Sequence, residues 1–552
     1  MKIRTCWIRC WVLLLLAIFL YASFAQQDPD FLRALQLQAV ETEKSNWMHW
    51  GDQPGVYSSW TNHSNRLIPI YSFGIQLDSV RGENSVYRDA EKIQSLYGKL
   101  PVSTLNPDAE YFDQTDVYRL QQQALASGKK HIILMVFDGM DWQTTQAAAI
   151  YKAKRVVYTE GRGTGLAFLD YQGGPSDYGF FVTAPYNNDP KADVNSQTVI
   201  PGADDGRSGG YAADFGGKFP WARPGDPAYL IGQRKSLPHL YTDSAASATS
   251  MTTGRKTFNA AINVGPMGEK LETIADQCQR QGYGIGVVTS VPISHATPAC
   301  AYAHNVSRDD YQDLSRDLLG LKSVSHRDDP LAGVDVLIGC GWGENIDDDR
   351  EKQGQNFVPG NKFLTASDLA AIDVREGGRY VVAQRTANCA GETVLAAATE
   401  QTIETRSRLF GFFGVGGGHL PFQTADGKYD PTRGVKSAER YSDADVSENP
   451  TLAAMTIASL SVLQHHERGF WLMVEAGDVD WANHNNNIDD SIGAVLSGEA
   501  AFNAITNWVE KNSSWDETVL IVTSDHGHLL FVDDLPTLTG TRKGADIEVK
   551  QN

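Results

Sequence analysis

The chain has 552 residues and a net charge of -19, and it is 41% hydrophobic and 21% charged. That balance is globular, and the length exceeds what a single core usually serves, so one large domain with insertions, or two domains, is expected. The acidity excludes nucleic acid and anionic membrane as bulk electrostatic partners and suits a protein that holds divalent cations.

At the start, Lys2, Arg4 and Arg9 precede an apolar stretch from Trp11 to Leu20 and a small-x-small site at Ser23-Phe24-Ala25. This is the pattern of a signal peptide over residues 1–25, which implies an exported protein, periplasmic or extracellular, with no membrane association after cleavage. The apolar run falls short of the roughly 20 residues that a spanning helix needs. Cys6 and Cys10 lie in that segment; Cys278, Cys300, Cys340 and Cys389 remain, with three possible pairings that spacing does not decide. No C-x-x-C occurs, which argues against a thiolate zinc site. Asn62-His63-Ser64 reads as a chance glycosylation sequon.

Residues 26–125 are aromatic-rich and irregular, with a helical patch at Asp89 to Leu96, and read as an N-terminal extension packed on a main domain over 126–552. Between about 155 and 236 the chain is crowded with Gly, Pro, Asn and Asp, a loop-rich insertion of the kind that surrounds a site. Short apolar runs follow at 131–137, 284–290, 335–341, 469–477 and 518–524. Such runs predict strands buried on both faces of a mostly parallel sheet. Helical patterns at 271–282 and 450–469, with Gly282 and Gly469 as stops, separate them. The alternation predicts an α/β fold with helices on both faces of the sheet. Glycines 282, 284 and 286 make no dinucleotide fingerprint.

Ligands of an open α/β sheet bind beyond the carboxyl ends of its strands. There the sequence places Asp138-Gly139-Met140-Asp141, His295-Ala296-Thr297-Pro298, Glu475 with Asp480 and His484, and Asp525-His526-Gly527-His528. Each has an ordinary reading as a turn, ion pair or loop residue. Together, Asp138, Glu475, Asp480 and Asp525 would repel one another unless cations sat between them. Carboxylates mixed with imidazoles suit zinc, and an oxygen set such as Asp138, Thr297 and Glu475 suits magnesium. In Asp243-Ser244-Ala245-Ala246-Ser247-Ala248-Thr249, small residues open a helix. Its first amides would face an anion, and Ser244 is a candidate metal-activated nucleophile as well as a possible cap beside Asp243.

The stretch "YTDSAASATSMTTGRKT" closely resembles the active-site signature of the alkaline phosphatases. The likeness continues in order over roughly 128–530 through Asp138-Gly139-Met140, Ala296-Thr297-Pro298, Ser307-Arg308, Glu475 with Asp480 and His484, and Asp525-His526. The resemblance implies an alkaline-phosphatase-like sheet and a phosphomonoester hydrolase acting on small phosphomonoesters through a phosphoserine at Ser244. It further implies two zinc ions and one magnesium ion, with Asp138, Asp525 and His526 on one zinc, Asp480 and His484 on the other, and Asp138, Thr297 and Glu475 on magnesium. Arg308 would clamp phosphate oxygens, and a homodimer is a frequent state among such enzymes. His295 and Trp481 stand at positions that vary in the family around magnesium and phosphate, and His528 matches a position behind the metal ligands. Ser244 lacks the Cys/Ser-x-Pro-x-Arg setting of sulfatases, and many phosphodiesterases use Thr instead.

One departure is marked: the family takes a further zinc-ligand His from a His-Thr motif beyond the Asp-His pair, and no His follows His528. His419 in "GVGGGHLPF" lacks the family's context. The expectation is a C-terminally truncated copy. Otherwise the second zinc keeps two residues plus water and phosphoserine turnover suffers, the extreme being a phosphate-binding relative that does not turn over.

Overall fold

The computed structural model describes residues 30–186, 190–202, 206–436 and 438–541, so the expected signal peptide lies outside the described residues. Its centre is a ten-stranded sheet. In chain order the strands are β1 (Ile68–Phe73), β2 (Phe112–Asp113), β3 (His131–Phe137), β4 (Ser176–Val182) and β5 (Gly284–Pro292), then β6 (Val336–Cys340), β7 (Tyr380–Gln384), β8 (Arg408–Phe412), β9 (Phe470–Ala476) and β10 (Thr518–Thr523). Across the sheet they run β7-β8-β6-β5-β9-β3-β10-β1-β4-β2. The seven from β7 to β10 are mutually parallel, and β1 runs against both its neighbours, β10 and β4. The fold is α/β, as the apolar runs predict.

Continuous apolar character follows from burial on two sides. Along β3, Ile133, Met135 and Phe137 enter one core, and Ile132, Leu134 and Val136 enter the other. The helices that matter are α1 (Thr115–Ala126), α2 (Trp142–Ala153), α3 (Ser244–Thr253), α4 (Ile274–Arg280), α5 (Ala296–Cys300), α6 (Leu452–Leu463), α7 (Asp478–His484) and α8 (Ile488–Asn512). The first core packs beneath α2, α6 and α8, the second beneath α1, α3, α4 and α5. Burying a Leu- or Phe-sized side chain in either is worth about 1.5–3 kcal/mol.

Two local expectations change. Helix α6 ends at Leu463, and Gly469 sits instead at the entry to β9 with φ 100, where a Cβ would lie 1.8 Å from the Lys130 carbonyl oxygen. Residues 26–125 contribute β1 and β2 to the sheet itself, and β1 sits between β10 and β4. Cys278, Cys300, Cys340 and Cys389 are all free thiols. No helix among the described residues is long and apolar enough to cross a membrane.

Candidate metal centre

The carboxyl ends of three adjacent strands build the floor. Asp138 follows β3, Glu475 is the penultimate residue of β9, and Asp525-His526 follow β10; all four side chains are fully buried. Helix α3 brings Ser244 to them as its first residue. Asp243 is the cap, its Oδ1 accepting the Ala246 N–H at 2.9 Å, which leaves the Ser244 hydroxyl uncommitted to helix capping. The Ser244 Oγ lies 3.2 Å from His526 Nε2. The same nitrogen is 3.3 Å from Asp138 Oδ1 and 3.3 Å from Asp525 Oδ2.

Those carboxylate oxygens are orphans. Asp138 Oδ1, Asp525 Oδ2 and Glu475 Oε1 are buried without a hydrogen-bond partner, whereas the second oxygens of Asp525 and Glu475 are fixed by the Gly139 N–H and by the Thr289 hydroxyl. A buried anionic oxygen left bare costs several kcal/mol, so three facing one region call for a cation. Burial, then Asp525, Asp480 and Glu475, drive the Asp138 carboxyl well above its usual range. Burial above all lifts Glu475 to about 8 and Asp525 to about 6. A bound divalent ion reverses that ordering by favouring the ionised forms. Three donor groupings suit metals here: Asp138 with Asp525 and His526; Asp138 with His295 and Glu475; and His63 with Asp480, His526 and His528. Thr297 joins the second through its hydroxyl, 3.4 Å from Asp138 Oδ2.

His63 supplies an imidazole that sequence reasoning missed. Its Nδ1 faces the Thr242 carbonyl at 3.0 Å, and Nδ1 of His484 faces the Thr61 carbonyl at 2.7 Å. Both Nδ1 atoms therefore carry the proton, and the two Nε2 lone pairs confront each other at 2.9 Å. Asp480 Oδ1 lies 3.5 Å from each. Two lone pairs and a carboxylate converging in this way repel without a cation and ligate with one. A backbone bridge explains the placement: beyond the antiparallel pairing of β1 with β10, and two residues off its register, a separate antiparallel bridge joins Ser64 to Gly527, with the Ser64 N–H donating to the Gly527 carbonyl at 2.7 Å. The Ser64 hydroxyl also accepts the Leu529 N–H at 3.0 Å. His63 thereby stacks on His526 with ring centroids 3.7 Å apart. The available signal was a His-Ser pair just ahead of the run from Leu67 to Phe73, on the side of the sequence opposite to where the family's motif directs attention.

The remaining expected residues also gather here. Arg308 donates through Nη1 to Asp243 Oδ2 at 3.0 Å and through Nη2 to His295 Nε2 at 3.1 Å. Burial works hardest against its charge, but Asp243, Tyr311 and Asp138 together outweigh it and raise its pKa. Burial, then Arg308, holds the His295 ring down at about 3, uncharged. His528 Nε2 contacts Asp480 Oδ1 at 2.7 Å and orients it. Gly139, at φ +71, lets the turn after β3 pass under this pair; a Cβ there would lie 2.8 Å from His528 Nε2. Trp481 stands edge-on to His295 and His419, whose Nε2 pairs with Glu439 at 3.3 Å. These side chains wall a cavity of about 580 Å³ that opens onto His63, Arg308, Asp480 and His484. A neighbouring cavity of about 640 Å³ brings Tyr186 and Asp193 of the 155–236 insertion alongside Asp309.

A stability consequence follows for metal-free protein. Folded Glu475 keeps its proton to about pH 8, mainly through burial, against 4.5 for the ordinary group, so the native chain binds more protons and stability falls as pH rises. His484, held by burial at about 4 against 6.5, tilts the other way, but only up to pH 6.5. With chelator present, the melting temperature therefore falls between pH 6.5 and 8, and zinc plus magnesium suppress the fall. A flat or rising calorimetric curve in chelator over that window contradicts the assignment.

Residues 228–545 match the family model for alkaline phosphatase. Alkaline phosphatase 4 of Bacillus subtilis is 27% identical over 308 residues, which is 55% of this chain and 50% of that protein. The alkaline phosphatase of Escherichia coli is 27% identical over 312 residues, 54% of this chain and 61% of its own. Alkaline phosphatase 4 of Drosophila melanogaster is 24% identical over 468 residues, 78% of this chain and 60% of that one. The chain thus spans about half the length of the first curated relatives it matches. Among solved structures, Thermus thermophilus alkaline phosphatase aligns with a TM-score of 0.42 at 21% identity, covering 72% of this chain and 60% of that one. His63 lies well before the matched span, which holds Ser244, Arg308, Glu475, Asp480 and Asp525. With the family model matched across more than half of its residues, the chain belongs to the alkaline phosphatase family.

Proposed function

We propose that the protein is an exported, metal-dependent phosphomonoesterase that passes the phosphoryl group first to Ser244 and then to water. The observation that carries this is the Ser244 hydroxyl, 3.2 Å from His526 Nε2 and beside buried carboxylate oxygens that have no protein partner. Asp138, Asp525 and His526 suit one zinc ion; His63, Asp480 and His484 a second; and Asp138, Thr297 and Glu475 a magnesium ion. Bound there, such ions acidify a nearby hydroxyl or water and neutralise charge building on phosphoryl oxygens.

The chain's own groups do the rest. The Ser244 Oγ–P bond forms as the ester P–O bond breaks and the alcohol leaves; water then cleaves the Oγ–P bond and inorganic phosphate departs. Arg308, steadied by Asp243 and His295, presents a planar fork to two phosphate oxygens. The first amides of α3 add partial positive charge. His63, with its Nε2 2.9 Å from that of His484, supports a complete second site over the half-reaction reading.

The test is hydrolysis of p-nitrophenyl phosphate by full-length protein supplied with zinc and magnesium, beside bis(p-nitrophenyl) phosphate. Monoester turnover well above diester turnover is expected. Absence of turnover together with absence of acid-stable phosphoprotein would leave only phosphate binding and sink the proposal. In the same assay Arg308→Lys keeps a charge but loses the fork, and kcat/KM drops roughly 10- to 100-fold, by the 1.5–3 kcal/mol of a charge-assisted hydrogen bond. Unchanged kcat/KM would remove Arg308 from phosphate binding.

A further inference from the structure

Away from that centre, His304, Asp317 and His326 each turn one donor atom to a common point, all within 4.8 Å of one another. His304 lies on the loop between α5 and Arg308, Asp317 on the helix Tyr311–Leu319, and His326 on the loop that follows it. The His304 Nε2–H donates to the Leu271 carbonyl at 2.8 Å, which leaves Nδ1 with its lone pair. His326 Nε2 faces that lone pair at 3.3 Å and lies 3.8 Å from Asp317 Oδ2. His326 also hydrogen-bonds the Asp329 backbone. Asp317 is fully buried; Oδ2 accepts the His304 N–H at 3.0 Å, and Oδ1 has no partner. Nothing in the phosphoryl-transfer scheme uses these three groups.

A buried carboxylate with one oxygen unpartnered, whose other oxygen lies 3.8 Å from His326 Nε2, is costly in a protein interior unless a cation or proton is shared with the imidazoles beside it. Burial already keeps both rings uncharged at neutral pH, with His304 and His326 held down at about 4, so they stand ready as ligands. The opposing group is Lys270, whose ammonium is engaged by the Ser325 carbonyl. We propose that His304, Asp317 and His326 bind one zinc-class divalent cation, separate from those of the reaction centre, that fastens the His326 loop to the segment leading into Arg308. Two imidazoles and one carboxylate with a fourth position open to water form a donor set suited to zinc and poor for magnesium or calcium.

The experiment uses full-length protein stripped with chelator, reloaded with zinc, dialysed and counted by elemental analysis. His326→Ala is expected to hold one zinc equivalent fewer than the parent, with p-nitrophenyl phosphate turnover changed less than about twofold, since His326 touches no group of the reaction centre. An unchanged zinc count in a folded His326→Ala protein overturns the site. Should that variant fail to fold, anomalous diffraction from zinc-loaded parent crystals decides: a peak between His304, Asp317 and His326 supports it, and none there overturns it. The proposal does not depend on the phosphatase reading, because loss of turnover leaves this count untouched.

Discussion

Ser244→Ala lowers p-nitrophenyl phosphate turnover by about 10³-fold or more, the scale seen when a nucleophile is removed from machinery that works as a unit. The fold survives, because Asp243 caps α3 and the Ser244 hydroxyl reaches only His526. Loss of that one hydrogen bond costs about 1 kcal/mol. Metal content also persists, since the carboxylates and imidazoles around the hydroxyl remain. The discriminating measurement pairs turnover with acid-quenched labelling: the parent traps phosphate on serine and the variant traps none. A Ser244→Ala protein that keeps even a tenth of parental turnover would move the nucleophile elsewhere.

His63→Ala removes one zinc equivalent and slows turnover at least about 100-fold, the upper range for losing groups that support a metal. Two lone pairs 2.9 Å apart, each fixed by a backbone carbonyl on the far side of its ring, leave Asp480 and His484 an incomplete set once His63 is gone. Ser244, Asp138, Asp525 and His526 remain, so a phosphoserine still forms and its hydrolysis becomes the slow step. Rapid-quench kinetics then register a burst of one alcohol per chain followed by slow release. A variant that retains the parental zinc count and shows no burst would strip His63 of this role.

The parallel heart of the sheet was legible because strands buried on both faces leave unbroken apolar runs, as at 131–137 and 518–524. Asp138, Glu475, Asp525 and His526 were legible because each sits at or just beyond the end of such a run, and Ser244 because it opens a helix of small residues; Arg308 came only with the family resemblance. β1 was not: Pro69 and Ser72 interrupt its apolar pattern, and proline argues against a central strand. β7 and β8, no shorter than the legible β6, carry Gln384 and Arg408 at their ends, which break up the apolar run that marks a strand buried on both faces. His63 was hidden for a related reason. Its meaning comes from a backbone bridge, and Asn62-His63-Ser64 carries a bland local reading that nothing nearby contradicts.

The Ser64–Gly527 stitch has a bearing on biosynthesis. His63 and His484 are 421 positions apart, so at about 5–20 residues per second the early imidazole waits on the order of 20–80 s for its counterpart to be made. Loop-closure entropy grows only logarithmically with length, so bringing two ligands together across so long a span costs little more than across a short one. With zinc held as proposed, the centre would double as a buckle joining early and late portions of the polypeptide.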